Sequence, residues 1–600
     1  MSRRVRSTRG IDRDPGEPME RSAFSLDDLA DRRVESWADI HGVLDEFPTK
    51  TDAAPDEGFT QRLAGGIAFL TFGYGIDGVS IEIAKYASCL EQELRDRGIE
   101  AVIHCIGGDF ISADEVLEKR WHRKRIDQAN GWSKWDGGIW FDRMFRAEMP
   151  SGSAESREIA REIWRQAVGF ARELAGYLVE NRVGLLFTVG VNSNPGNPAL
   201  ALAAVLASEI LGISVLNSCH DFYWESGKPS SERERGESPG ARDHFFRNCT
   251  NDSFFHFIER IHPWNGSRWL TLVINALQRD ELIRRSDTAL SRIMEIGTYV
   301  DDEFFVPITP ERKAELRRQL RHILANGEET VPVELIEGFE ARIPEWMKEQ
   351  QPVVCGAETG LSFDLTDPHA LWFLQPTRVV PRKRIPRDWE LIGTLLQYAP
   401  FRSMFEENPE LTLTLHVTGP VPAEHEEDLR DVVTGFRRVL SGAPHDIGRR
   451  IYLLLSAGKL GKSTLHARGP DQLSMADLYH VADLVMLPSE TEGRGLPILE
   501  AAAAGLPLVC SQYHPREVFD AIVGRNLKNS SRIQYSHFPD GRFGTELLQE
   551  ITDLVFRPSV SSKLRHHNRR AVAARYSMPA LTHSFQVGLD ILAGRAGDRE

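Results

Sequence analysis

The chain has 600 residues, of which 41% are hydrophobic and 26% charged, and it carries a formal net charge of −15. At roughly 150 residues per domain, this length predicts several domains or two large ones, with enough apolar sequence to fill their cores. The acidic balance excludes a general nucleic-acid binder, whose affinity needs a basic face, and the six scattered cysteines lack the paired spacing of a zinc ribbon or a disulfide framework.

Residues 1–60 read as a polar N-terminal extension, partly disordered, with an amphipathic helical stretch at 25–47. The first residues lack the apolar core of a signal peptide, so a cytoplasmic location is expected. The strand GIAFLT (66–71) leads through FGYGIDGVS into a helical pattern and the strand AVIHCIGG (101–108), a doubly wound β-loop-α-β unit. A helix at 154–181, the strand VGLLFTVG (183–190), a helix at 197–211 and the strand ISVLNSCHD (213–221) continue it. RWLTLVINA (268–276) and ALSRIMEIGTYV (289–300) complete an N-terminal Rossmann-like domain at 61–305. The most apolar run, LALAAVLASEILGISVL (200–216), is short and carries Glu209, so it reads as a buried helix, and no transmembrane segment is expected.

Residues 306–370 are less regular and read as an insertion or linker containing one charged helix, PERKAELRRQLRHIL. Alternation resumes with the strands LWFLQPTRVV (371–380), LTLTLHVTG (411–419), RIYLLLSAG (450–458) and LVMLPS (484–489), which define a second Rossmann-like domain at 371–565; helices at 566–600 close the chain. The expected fold class is α/β with two doubly wound domains, whose ligands belong at the carboxyl ends of the strands.

Five segments carry candidate chemistry. In FGYGIDG, the glycines Gly73, Gly75 and Gly78 fit G-x-G-x-x-G, which serves either a dinucleotide phosphate or a tight βα turn. An NAD-dependent oxidoreductase is the alternative function resting on it, although Asp109 comes late for a ribose contact. SAGKLGKST imitates a P-loop only at Lys462-Ser463, since Ser456 stands where its first glycine is required. In QPTRVVPRKR, Arg378 and Lys383 follow a strand and pair a planar fork with a point charge, which suits a diphosphate. His220 and Asp221 end an apolar strand, and the polar loop 227–248 after them is long enough for a lid over substrate.

The fifth segment is PSETEGRGLPILEAAAAGLPLV (488–509). Glu492 precedes a turn with Gly493, Arg494 and Gly495; Pro497 marks the first helical position, and Glu500 falls in the first helical turn. Glycines at a helix N-terminus leave backbone N–H groups for an anion. A carboxylate there is favoured by the helix dipole and can accept two hydroxyl hydrogen bonds.

This segment resembles the E-x7-E signature of retaining glycosyltransferases of family 4, and Arg378-x4-Lys383 resembles that family's diphosphate-binding pair. MADLYHVADLVMLPS resembles the segment that precedes the signature, and EIGTYVDDEFF the end of the N-terminal domain, with Gly297-Thr298-Tyr299 in place of Pro-Asn-Gly. The HDFYWE run with its polar loop is similar to the branch containing mannosylglucosylglycerate synthases. The resemblance implies a GT-B fold and transfer of a hexose from a nucleoside-diphosphate sugar, GDP-mannose or UDP-glucose, to a small polar or glycosylated acceptor.

It also implies roles. Glu500 would hold the donor ribose and Glu492 the sugar hydroxyls. Arg378 and Lys383 would neutralise the leaving diphosphate, and Gly493, Gly495 and Leu496 would meet it with backbone groups. Gly75 would lie near the phosphates and His220 near the transferred sugar. No cofactor or catalytic metal is required on this reading, apart from Mg2+ that can accompany a nucleotide sugar. The only Asp-x-Asp, Asp12-Arg13-Asp14, lies in the polar tail, against a metal-dependent GT-A enzyme. Expected partners are the nucleotide-sugar donor and a small-molecule acceptor, with a homo-oligomer compatible. Arg494 departs from the family's aromatic residue. A GT-B epimerase and a non-catalytic nucleotide-sugar binder share these features and stay open as alternatives.

Overall fold

The computed structural model describes residues 25–47, 58–131, 149–224, 252–285, 290–326, 330–359, 369–460, 473–523 and 532–595, with a few single positions between them. The polar loop 227–248, Lys462-Ser463 and Asp12 to Asp14 lie outside the described residues.

The first half contains helices α1 (Leu26–Asp31) and α2 (Trp37–Asp45), strand β1 (Ile67–Leu70), helix α3 (Gly78–Asp96), strands β2 (Ile103–Gly107) and β3 (His122–Arg125), helix α4 (Ala154–Glu180), strand β4 (Leu185–Val189), helix α5 (Pro198–Leu211), strand β5 (Ser214–Cys219), helix α6 (Asp252–Ile261) and strands β6 (Trp269–Val273) and β7 (Ile293–Glu295). The strands form one parallel sheet in the order β3-β2-β1-β4-β5-β6-β7. Every residue of β1, β2, β4, β5 and β6 is buried, as a sheet covered by helices on both faces requires. α5 starts at an Asn197 cap with Pro198 in its first turn and stops at the left-handed Gly212. It is buried against α4 and α6, and its one acid, Glu209, accepts a 2.7 Å hydrogen bond from Trp264 Nε1. The amphipathic stretch at 25–47 is two helices, and Trp37 packs its ring on Phe254 and Phe257 of α6.

The second half contains helix α7 (Pro310–Ala325), strands β8 (Val333–Leu335), β9 (Val353–Gly356) and β10 (Ala370–Gln375), helix α8 (Pro386–Gln397), strands β11 (Thr412–Val417) and β12 (Ile451–Leu455), helix α9 (Met475–Val481), strand β13 (Leu484–Leu487), helix α10 (Leu496–Ala504), strands β14 (Leu508–Cys510) and β15 (Ser536–His537), and helix α11 (Met578–Leu592). The sheet order is β15-β14-β13-β10-β11-β12-β9-β8, parallel except for the antiparallel β9–β12 pair. Here the structure differs from the sequence reading. The segment 306–370 is not a separate linker, because β8 and β9 form the edge of this second sheet. Segments of three and four residues, VEL and VVCG, are too short for periodicity to separate from loop.

Two features position the site. Strand order reverses between β1 and β4 in one sheet and between β10 and β13 in the other, and ligand crevices open at the carboxyl ends of strands at such reversals. The chain also recrosses at its end: α11 lies on α3 in the first sheet's core through Leu581, Phe585 and Leu589, and Val300 N donates to Tyr576 O at 2.8 Å. The result is two parallel-dominated α/β sheets with helices on their faces, the architecture expected of a GT-B fold.

Two buried histidines set an acid limit. His262 keeps Nε2 buried without a partner and His416 keeps Nδ1 so; burial pushes them down to about 4 and about 3. The unfolded chain therefore takes up these protons first, and folded stability falls as pH drops through about 6.5 toward those values, by about 1.4 kcal/mol per pH unit for each proton. In His416→Gln the melting temperature should fall less between pH 6.5 and 4.5 than in the parent. Parallel pH profiles for the two proteins would refute this.

Candidate active site

The second sheet's crevice is built by the turns after β10 and β13. After β10 the backbone swings through Arg378, whose side chain is exposed and has no ion-pair partner among the described residues. A short 3-10 turn, Pro381–Lys383, then carries Lys383 back inside, where the residue is 8% exposed. Its Nζ lies 2.5 Å from Glu492 Oε1. Burial lowers the Lys383 pKa, and Glu492 opposes that shift. The structure thus joins one member of the predicted cation pair directly to the first signature glutamate.

The turn after β13 is fixed on both sides. Glu490 N donates to Arg382 O at 2.7 Å, His514 N to Glu490 O at 2.8 Å, and Glu492 N to His514 O at 3.2 Å. Gly493 is exposed, and a Cβ there would meet nothing within 4 Å. Gly495 has φ +58°, and a Cβ there would lie 2.7 Å from Tyr513 OH. This left-handed residue is the N-cap of α10, so the helix begins at Leu496 with Pro497 second. Glu500 is therefore its fifth residue and not in the first turn, a correction to the sequence reading, which assigned Pro497 the first position. Instead of standing at the positive end of the helix, Glu500 accepts a 2.6 Å hydrogen bond from Tyr479 OH on α9. Burial raises its pKa, against the Tyr479 hydrogen bond and Lys85.

The first sheet's crevice begins at FGYGIDG. Asp77 caps α3, its Oδ1 accepting from Val79 N and Ser80 N at 2.9 Å each. Those are the N–H groups a dinucleotide phosphate needs, so the NAD reading loses its anion site. The amide of Gly75 is also used, donating to Ser80 Oγ at 3.0 Å. A Cβ on Gly73 would lie 2.5 Å from Asp109 Oδ1, so that carboxylate would have to shift. Asp109 in turn accepts from Asn130 Nδ2 at 2.8 Å. Gly73, Gly75, Asp77, Asp109 and Asn130, with Ser112, line a cavity of about 400 Å³.

His220 follows β5. Its Nε2 is buried without a hydrogen-bond partner. Burial first, then the Arg494 charge, push its pKa down to about 4, against Glu82 and Asp221, which keeps the ring neutral near pH 7.

Arg494 joins the two crevices. Its Nη1 lies 2.5 Å from Glu82 Oε1 and its Nη2 3.0 Å from Tyr86 OH, both on α3. Glu82 Oε2 accepts from Thr298 Oγ1 at 3.0 Å, and Lys85 Nζ donates to Tyr299 O at 2.7 Å. Burial works against charge on Glu82, yet Arg494 and Lys85 hold its pKa below the ordinary value. Burial also opposes charge on Arg494, and Tyr86 and Glu82 more than offset it. The structure therefore puts Lys383 against Glu492, while Gly493, Gly495, Leu496 and Glu500 follow along the same turn and the start of α10. Arg494 links that turn to α3, in the vicinity of His220; Gly75 lies on the first sheet's cavity. Glu82, Tyr86, Tyr479 and Asp77 escaped the sequence reading. The available signal was IEIAKYA, where Glu82, Lys85 and Tyr86 share a helix face with core residues.

Residues 448–529, which hold β12 to β14 and the signature turn, match the family model of glycosyl transferases group 1. No curated protein matches the chain. Among solved structures the chain is similar to Alr3699/HepE of Anabaena, solved in complex with UDP and glucose, at 12% identity, over 88% of this chain and 99% of that one, with a TM-score of 0.48. It is also similar to a glycosyltransferase of Rickettsia africae ESF-5, at 12% identity over 88% and 98% of the two chains, TM-score 0.48. A third is sucrose-phosphate synthase of Thermosynechococcus elongatus, at 14% identity over 87% and 97%, TM-score 0.47. The segment that matches the group 1 model contains both Glu492 and Glu500.

The two turn glycines should respond differently to a methyl group. Gly495→Ala should destabilise the protein by about 1–2 kcal/mol or more, from the left-handed backbone and the Tyr513 contact. Gly493→Ala should change stability by less than about 0.5 kcal/mol. Urea unfolding of both variants checks the pair, and equal effects would contradict the assigned helix start.

Proposed function

We propose that this chain is a retaining glycosyltransferase that moves a hexose from a nucleoside-diphosphate sugar, GDP-mannose or UDP-glucose, to a small polar acceptor of the glucosylglycerate type. The observation that carries the reading is the Lys383–Glu492 contact beside the Gly495-capped start of α10, at the strand reversal between β10 and β13, with Glu492 and Gly495 well inside the group 1 segment.

The diphosphate lies at that helix start, with Lys383 buried beside it and Arg378 reaching in from the exposed turn. Both cations act where negative charge grows as the bond from C1 to the phosphate oxygen breaks. The acceptor oxygen forms its bond to C1 on the same face, and its proton passes to the departing phosphate oxygen, so atoms and charge balance without a covalent intermediate. Fixed cations and helix N–H groups meet the phosphate charge, so no metal is invoked. Glu492, held by Lys383, faces the sugar hydroxyls, and Glu500 the ribose. His220, neutral and with a free ring nitrogen, hydrogen-bonds a sugar hydroxyl without adding charge. The acceptor enters from the cavity beside Asp109 and Asn130, whose carboxylate and amide suit hydroxyl groups.

A thermal-shift series with GDP-, UDP- and ADP-sugars identifies the donor, because a ligand of the native state raises stability in proportion to ln(1 + [L]/Kd). Lys383→Ala should then slow nucleoside-diphosphate release by about 10²–10³-fold, with product anomers read by NMR. Near-normal turnover in that variant would remove the diphosphate assignment, and an inverted anomer would remove the same-face mechanism.

A further inference from the structure

We propose that Glu82, Tyr86 and Arg494 are positioning residues for the transfer step: they dock the donor-holding turn onto the first sheet and set the distance across the cleft. The proposal rests on the glycosyltransferase reading above, and the geometry behind it does not.

Arg494 sits two residues before α10, in the turn that contains Glu492, Gly493 and Gly495. Its side chain leaves that turn and is 14% exposed, and its Glu82 partner is 5% exposed. The guanidinium makes two separate contacts, one charged and one to a phenol, which fix its plane as well as its place. The receiving surface is itself rigid. Tyr86 stacks on Phe187 of β4 at 5.6 Å and meets Phe585 of α11 edge-on at 5.3 Å. Glu82 has its second oxygen occupied by Thr298, in the segment that runs from the first sheet to the second. One carboxylate therefore ties three parts of the chain: α3, the connection between the sheets and the donor turn.

Transfer needs an acceptor held by one sheet and a sugar held by the other at reacting distance, and an error of about 1 Å can cost on the order of 10²-fold. None of the three side chains has to touch substrate for this. Their loss should lower kcat while the donor site of the second sheet, built on Lys383, Glu492 and Glu500, still binds nucleotide.

The test uses the full chain in four forms: Tyr86→Phe, Glu82→Gln, Arg494→Gln and the double variant Glu82→Gln/Arg494→Gln. Tyr86→Phe removes one hydroxyl from a packed ring and keeps the fold; the double variant removes both buried charges together, so neither is left unpaired. Nucleoside-diphosphate affinity by calorimetry should stay within about threefold of the parent in all four, while kcat falls by about tenfold or more in the charge variants and severalfold in Tyr86→Phe. The double variant should be no slower than the slower single variant, as expected for one shared contact. An unchanged kcat in Tyr86→Phe and the double variant, or strictly multiplicative single effects, would overturn the proposal. If the parent releases no nucleoside diphosphate from any of the three sugar-nucleotide classes, the glycosyltransferase reading fails instead. The docking contact is then decided by small-angle scattering alone: a larger radius of gyration in the double variant supports it, and an unchanged one rejects it.

Discussion

The relation between the two sheets depends on a buried arginine. Arg494 belongs by sequence to the second sheet and by contact to the first, where Glu82 and Tyr86 take its guanidinium. A charge in that position is tolerated only because it is paired: breaking a buried pair from one side typically costs about 3–5 kcal/mol. The contact is consequently directional in a way that apolar packing between the sheets is not. It specifies which residue of the turn touches which turn of α3, and so fixes register between two bodies that each have their own core.

The same turn carries a second pair of opposite character. Lys383–Glu492 lies within the second sheet's own crevice and Arg494–Glu82 spans to the first, so four charges neutralise each other around two glycines. Under the proposed function these pairs have different fates. Lys383 stands where the diphosphate charge develops, and Glu492 holds its ammonium in place until then. Arg494 points away, toward α3, and its charge is already committed to Glu82. Two cations that meet at one turn, Lys383 and Arg494, thus divide into one that meets the ligand and one that holds the frame, and partner geometry makes the division.

What was legible in the sequence was what is local. The β-α alternation gave both sheets because fully buried parallel strands read as continuous apolar runs, and 488–509 gave a crevice because its glutamates and glycines are contiguous. Short strands were not legible: β8 and β9 each offer too few residues for a period, and they join the second sheet because β9 pairs with β12 over a long sequence separation and β8 pairs with β9. The helix start was misread by one position because proline suggested the first turn, whereas the left-handed Gly495 is what ends the turn. Arg494 could be seen but not explained, since Glu82 lies more than four hundred residues earlier. The Gly297-Thr298-Tyr299 departure was equally opaque, yet Thr298 donates to that same Glu82. Two oddities of the sequence are thus one contact set in the structure.

The two signature glutamates end up in environments that differ more than their spacing suggests. Glu492 is matched by a cation, the buried Lys383 ammonium. Glu500 has no cation within hydrogen-bonding distance among the described residues; Tyr479 donates to one oxygen, and burial raises its pKa. The Tyr479 ring packs edge-on against Phe304 at 5.3 Å, within the connection between the sheets. Oε2 is therefore fixed by a phenol anchored near the domain junction, and Oε1 is the oxygen whose orientation this sets. On the proposed reading Glu500 meets a ribose with one oxygen pre-aimed, and the aim is set from the connection that also feeds Glu82. Donor recognition and domain docking then share a mechanical origin in residues 298–304, a link that neither the E-x7-E spacing nor the turn alone contains.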